Sequence, residues 1–208
     1  MIAHNPHNRI YLASKSPRRR ELLKQIGVNF EVLLLREFPA SRQDIDERPF
    51  ANESPEDYVV RVARQKAEIG ALRVQERHLP ILAVLSADTS VVVDRTIIGK
   101  PADTQDAADI LRKLSGTSHR VMSAVALAHA GKIDSVLSVT EVHFRDLSDG
   151  EIQRYIATGE PMDKAGAYGI QGRAAAFIAG ISGSYSGVVG LPLFETVELL
   201  KKANFLLP

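Results

Sequence analysis

Four groups of residues in this chain combine types and spacings that could do chemistry. The first is Ser14-Lys15-Ser16-Pro17-Arg18-Arg19. Serine followed by proline marks a helix start, with Ser16 as N-cap and Pro17 in the first helical position. Backbone N–H groups, the positive end of the helix dipole and two arginines then converge, which suits an oxyanion or a phosphate. An ordinary capped surface helix reads the same way. The second group is Ala87-Asp88-Thr89, where Asp88 interrupts the apolar stretch of residues 81–93. An unpaired buried carboxylate is costly, so Asp88 needs a partner, a metal or a cleft. At the end of a strand it could bind a divalent cation or take a proton from water. A turn or cap aspartate is the plain alternative.

The third is Lys66, which shares a helix face with Val59, Val62 and Ala63 by 3.6-residue periodicity. A lysine within an apolar stripe either snorkels to water or enters a polar cleft. The fourth runs from Gly159 to Gly172 and packs Glu160, Asp163, Lys164 and Gln171 among small residues. Glycines let a backbone approach a ligand closely, and the Gln171 amide offers a donor and an acceptor for a base edge. A surface turn with solvated charges is the alternative.

The elements that must position these residues alternate between strand and helix. Residues 9–14 read as a strand, and the Ser16-Pro17 helix ends at Gly27. Residues 30–35 form a second strand, and 36–54 a long polar loop of the kind that is functional or mobile. Ser54-Pro55-Glu56-Asp57 starts a helix that runs to about Arg73. Residues 81–87 read as a buried strand, and 90–93 with 96–98 as a hairpin around Asp94-Arg95. Residues 103–114 are helical. Residues 121–130 and 133–145 flank Gly131-Lys132, the clearest hairpin signal. Ser148-Asp149-Gly150-Glu151 is a capping box for a helix ending at Gly159, a Gly-rich stretch follows, and Pro192 opens the last helix. The pattern predicts an α/β fold with mixed α+β character, in one domain over 1–208 with residues 1–8 as a flexible N-terminus.

Composition narrows the chemistry. The chain has 208 residues, 45% hydrophobic and 25% charged, as in ordinary globular proteins. A net charge of +1 offers no broad basic field for nucleic acid. The absence of cysteine excludes disulfides, thiolate metal sites and a cysteine nucleophile. No apolar signal core or membrane-length apolar run is present, so a cytoplasmic location is expected. Gly99-Lys100 is followed by proline and lacks the upstream glycine of a phosphate loop. The late glycines do not form GxGxxG. Gly183-Ser184-Tyr185-Ser186-Gly187 puts tyrosine where a nucleophile elbow needs serine. The six histidines never fall at zinc-ligand spacing.

In this order the motifs resemble the Maf family of nucleotide pyrophosphatases. The matching strings are Ala13-Ser14-Lys15-Ser16-Pro17-Arg18-Arg19, Ala87-Asp88-Thr89 and Gly99-Lys100-Pro101. They continue with Leu111-Arg112-Lys113-Leu114-Ser115-Gly116, His119-Arg120-Val121 and Gly159-Glu160-Pro161. Asp163-Lys164-Ala165-Gly166-Ala167-Tyr168-Gly169-Ile170-Gln171-Gly172 and Val189-Gly190-Leu191-Pro192 complete the set, over residues 9–202.

The resemblance implies two lobes around a central cleft, with a long mixed sheet flanked by helices. It implies metal-assisted hydrolysis of a nucleoside triphosphate to the monophosphate and pyrophosphate, with Asp88 as proton acceptor. Arg18, Thr89 and Gln171 match the positions linked to base choice, and the wording at 167–172 looks like the branch acting on dTTP and UTP. The sister branch acting on 7-methyl-GTP stands second, and a nucleotide-binding regulator of cell division is a reading of another class. On this basis Ser14, Ser16, Arg18, Lys66, Lys100 and Lys164 are expected at the phosphates. A Mg²⁺ or Mn²⁺ ion is expected on Asp88 and on Glu47, chosen over Asp44 and Asp46 in the long loop. A homodimer is the assembly the family suggests, and His4 and His7 lie outside the resemblance.

Overall fold

The computed structural model describes residues 9–35 and 45–207, so Asp44, His4 and His7 lie outside the described residues. In chain order the elements are β1 (Arg9–Leu12), α1 (Pro17–Gln25), β2 (Asn29–Val32), α2 (Pro55–Glu76), β3 (Ala83–Val93) and β4 (Thr96–Ile98). There follow α3 (Thr104–Leu114), β5 (Ser118–His129), β6 (Lys132–Phe144) and α4 (Asp149–Ile156). The last three are β7 (Ile178–Ser182), α5 (Tyr185–Val189) and α6 (Leu193–Lys202), with short 3₁₀ turns between α4 and β7. The helix starts follow their caps. Ser16 and Ser54 each accept a backbone N–H three residues on, with proline next in sequence. Ser148 and Glu151 form the reciprocal capping box of α4.

The strands make one seven-stranded sheet in the order β2-β1-β3-β5-β6-β7, with β4 also on β3. β1 is parallel to β2 and β3, and the remaining pairs are antiparallel. The architecture is therefore mixed α/β. Side chains alternate across β3, so neighbouring residues serve opposite faces. Val84 and Val92 pack under α2 with Val59, Val62 and Ala63. Leu85 and Ala87 pack with Leu22 and Leu23 of α1 and Leu199 of α6. Val91 and Val93 join a third cluster with α3 and α4. Gly70 lets α2 lie close on the sheet, since a Cβ there would stand 2.7 Å from Val84 Cγ1.

Several boundaries differ from the sequence reading. Residues 83–93 form one strand, so Asp88 sits in its middle and not at a strand end. Ile81 lies before the strand and is 91% exposed. β2 spans Asn29–Val32, short of residue 35. The Gly-rich region contains β7, which pairs with the end of β6, and the short helix α5. Residues 160–163, 165–167 and 173–177 wind into 3₁₀ turns in the region read as a loop. Among the described residues, no helix is long and apolar enough to cross a membrane.

Candidate active site

The site begins with a missing piece of sheet. β1 pairs with β3 only at residues 83–85, and β4 on that side only at 91–93. β5 covers the opposite edge continuously from 84 to 92. Residues 86–90 thus have no described strand beside them on one edge, and a cleft of about 980 Å³ opens there. It is lined by residues 13–19, 88–91, 97–100, 163–165, 168–172 and 188–190, with Glu47, Tyr58, Lys66 and Glu160 among the rest.

Alternation along β3 turns Asp88 toward α2, and α2 answers with Lys66. The Lys66 ammonium lies 2.8 Å from Asp88 Oδ1 and 2.8 Å from Glu47 Oε1. The Lys66 and Asp88 side chains are only 14% and 12% exposed, so the pair is shielded from bulk water. Lys66 therefore enters the polar cleft and does not snorkel outward. Its observed partners are carboxylates, which bears directly on its expected phosphate role.

Glu47 is carried by a segment without regular structure, fixed from α2. The Tyr58 hydroxyl donates to Glu47 O at 2.8 Å. Burial, reinforced by the charges of Asp88 and Glu47, pushes the Tyr58 phenol up to about 12. Arg61 holds Glu53 at 2.5 Å, donates to Arg48 O at 3.0 Å and lies 3.9 Å from the Phe50 ring centroid. Asp46 turns aside to Arg48, whose hydrogen bonds hold its carboxyl down at about 2. Of the two described acids, Asp46 and Glu47, it is Glu47 that lies beside Lys66.

Thr89 faces the opposite side of the sheet, toward α1 and α5. Its Oγ1 lies 2.8 Å from Ser123 Oγ, and Ser123 donates to Gly187 O at 2.7 Å. Arg19 binds this wall together. It donates to Gly190 O at 2.8 Å, Ala87 O at 2.7 Å, Ser14 Oγ at 3.2 Å and Thr89 Oγ1 at 3.3 Å. Ala87 O belongs to the uncovered strand edge, so Arg19 fills one of its vacant bonds. Burial lowers the Arg19 pKa from the usual guanidinium range, and Asp88 opposes that shift.

The other expected residues also meet at the cleft. Ser14 Oγ accepts Ser16 N–H at 3.2 Å, and Ser16 Oγ caps α1. As acceptors both hydroxyls are engaged, yet each retains its own O–H to donate. Arg18 is half-buried at the lip, next to Arg19 in α1. Lys100 is exposed on the β4 side. The Lys164 ammonium donates to Glu160 O at 2.7 Å and also pairs with Asp163. Gln171 is exposed in the turn closed by the bond from Gly172 N to Gly169 O at 3.0 Å.

Sequence reasoning missed Arg19 as the hub, Tyr58 and Arg61 as supports of Glu47, and a buried aromatic pair. His119 lies beneath Tyr168, its Nε2 2.8 Å from the Tyr168 hydroxyl. Burial holds His119 down at about 4, so it is neutral near pH 7. The doubled arginine after Pro17 was a visible signal; the aromatic pair left none beyond its motif strings.

The family model described as Maf-like protein matches residues 9–203. A dTTP/UTP pyrophosphatase of Nitrosomonas europaea is 57% identical over 197 residues, covering 95% of this chain and 95% of its own. A protein of the same name from Aromatoleum aromaticum is 58% identical over 198 residues, covering 95% and 96%. One from Dechloromonas aromatica is 54% identical, covering 95% and 98%. Among solved structures, the Staphylococcus aureus Ham1 protein superposes with a TM-score of 0.48 at 13% identity, covering 94% of this chain and 97% of its own. That likeness is too slight to carry an argument about chemistry. With the ordered motifs gathered around one cleft and the family match spanning it, this chain belongs to the Maf-like protein family.

Proposed function

We propose that this chain hydrolyses dTTP and UTP, releasing the nucleoside monophosphate and pyrophosphate. The observation that carries the reading is Asp88, a carboxylate held by Lys66 that lines one cleft together with the start of α1. Relatives more than half identical over nearly the whole chain bear the name of that activity.

In the proposed reaction a water oxygen attacks the α-phosphorus. The bond from that phosphorus to the oxygen bridging toward the β-phosphate breaks, and pyrophosphate leaves with the electron pair. Asp88 takes the proton of the water. Lys66 fixes the direction of that carboxylate, as its 2.8 Å contact supports. The Ser14 and Ser16 hydroxyls, Arg18 and the start of α1 receive phosphate oxygens, with Lys100 and Lys164 at the rim. Preorganised positive charge of this kind supplies most of the help a phosphoryl transfer can use. Gln171 meets the pyrimidine edge. Arg18 and Thr89 shape the base end, Thr89 through its bonds to Ser123 and Arg19.

The chemistry of the donors fits a divalent cation. Asp88 and Glu47 each give one oxygen to the Lys66 ammonium, which leaves the second oxygen of each to hold a cation beside it. No set of three or more ligating side chains surrounds it among the described residues. Two carboxylates with substrate phosphates and water match the habit of Mg²⁺, and Mn²⁺ accepts the same oxygens. When bound there, such an ion would neutralise triphosphate charge and lower the pKa of a water. We assign the protein to the cytoplasm, where nucleoside triphosphates are made and consumed.

A nucleotide panel with Mg²⁺ or Mn²⁺, its products separated by ion exchange, tests this reading. dTTP and UTP should yield monophosphate and pyrophosphate. Preference for 7-methyl-GTP would overturn the branch, and binding without turnover would point to a regulator.

A further inference from the structure

The turn that presents Gln171 is held by a side chain to which the mechanism gives no part. Glu160 follows Gly159 and opens the first 3₁₀ turn after α4. One oxygen of its carboxylate accepts the Tyr155 hydroxyl at 3.0 Å, and the other accepts the Arg173 N–H at 3.1 Å. Tyr155 is itself 3% exposed, and its ring meets Phe177 edge-on at 5.1 Å between centroids. The carboxylate thus joins a rigid aromatic of α4 to the backbone immediately after the turn.

The glycines bounding the turn show how tight this junction is. A Cβ on Gly172 would lie 2.1 Å from Glu160 Oε1 and 2.5 Å from its Cδ. A Cβ on Gly169 would lie 2.9 Å from Lys164 Cε, and Lys164 in turn donates to Glu160 O. Ile170 and Gln171 are therefore carried on a backbone pressed at one end against Lys164 and at the other against Glu160. An ionised carboxylate only accepts hydrogen bonds, and both of its oxygens are used here by groups that can donate.

We propose that Glu160 is a positioning residue for base specificity, setting the Gly169–Gly172 turn so that Gln171 meets the pyrimidine. This rests on the reading of Gln171 as the group that meets the base. The proposed reaction gives Glu160 no direct part at the phosphates or the water. Its loss should appear in discrimination between bases more than in the chemical step. A glutamine replacement can keep both contacts, because its carbonyl accepts the Arg173 N–H and its amide donates to the Tyr155 oxygen.

The test is the ratio of kcat/KM for UTP to that for CTP, in the intact protein and in E160A, E160Q, Y155F and Q171A, with thermal unfolding of each. Losing one positioning contact worth a tenfold ratio predicts that E160A lowers discrimination about 10-fold through KM, while kcat changes about 3-fold or less. E160Q should return the ratio to within about 3-fold of the parent. Y155F should shift it in the same direction as E160A, and it serves as the test if E160A does not fold. Normal discrimination in E160A, or in Y155F should E160A not fold, would overturn the proposal, provided that Q171A loses it. Equal loss of kcat in E160Q and E160A would overturn it too, by giving the charge a direct part in catalysis. If Q171A keeps full discrimination, the failure lies with the assignment of Gln171.

Discussion

Replacing Lys66 by methionine separates two roles that the sequence left together. The ammonium stands 2.8 Å from both Asp88 and Glu47, with Lys66 and Asp88 largely shielded from water. At such contact the attraction to Asp88 is about 6 kcal/mol at an effective dielectric near 20. Desolvation offsets part of it, leaving a coupling of about 2–3 kcal/mol. The Glu47 contact adds less than about 1 kcal/mol, because that carboxylate is half exposed and screened. Lys66→Met keeps the length of the stem and removes the charge. If Lys66 serves by orienting Asp88, kcat for dTTP should fall by roughly 30–150-fold, with KM moving about 3-fold or less. In the Lys66→Met and Asp88→Asn double variant the losses should not add, since the lysine then has no base to orient. Steady-state kinetics on the four proteins measures this directly. Unchanged kcat with a KM raised about 10-fold would refute the reasoning and return Lys66 to a phosphate-binding role.

Two further outcomes follow from the structure. Arg19→Met leaves Ala87 O and Gly190 O without the guanidinium, so unfolding should be easier by about 2–4 kcal/mol and the midpoint lower by roughly 5–15 °C. A variant as stable as the parent would remove Arg19 from its place as hub of the wall. Burial holds His119 near 4 against 6.5 for an ordinary histidine, so between those values the unfolded chain binds a proton that the folded one does not. Stability should therefore fall by up to about 3 kcal/mol as the pH drops through that window, and His119→Phe should remove this part of the slope in urea titrations. Parallel slopes in the two proteins would contradict a neutral His119.

Much of the frame was legible because its signals are local. Ser16-Pro17, Ser54-Pro55 and the Ser148–Glu151 box each start a helix where the caps require it. The β5–β6 hairpin turns at Gly131 as its spacing predicts. Asp88 was placed at a strand end, because a carboxylate in an apolar run reads as a terminus. Ser86, Asp88 and Ser90 alternating with Ala87, Thr89 and Val91 were the sign that the strand continues.

What remained hidden depended on partners distant in sequence. Periodicity put Lys66 on the buried face of α2, but only the packing of α2 on β3 brings it to Asp88. Glu47 sits in a segment with no periodicity, held by Tyr58 and Arg61. β7, with Gly180 in its middle, has weak strand character of its own and forms because the end of β6 offers an open edge.

The central claim is that water attacks the α-phosphorus of a pyrimidine triphosphate with Asp88 as proton acceptor. Turnover of dTTP in water enriched in heavy oxygen tests it most directly, with the products analysed by mass spectrometry. The label should appear in dTMP and not in pyrophosphate, and the rate should fall about 10²–10⁴-fold in Asp88→Asn. Label in pyrophosphate, release of single phosphate, or an Asp88→Asn variant as fast as the parent would contradict it.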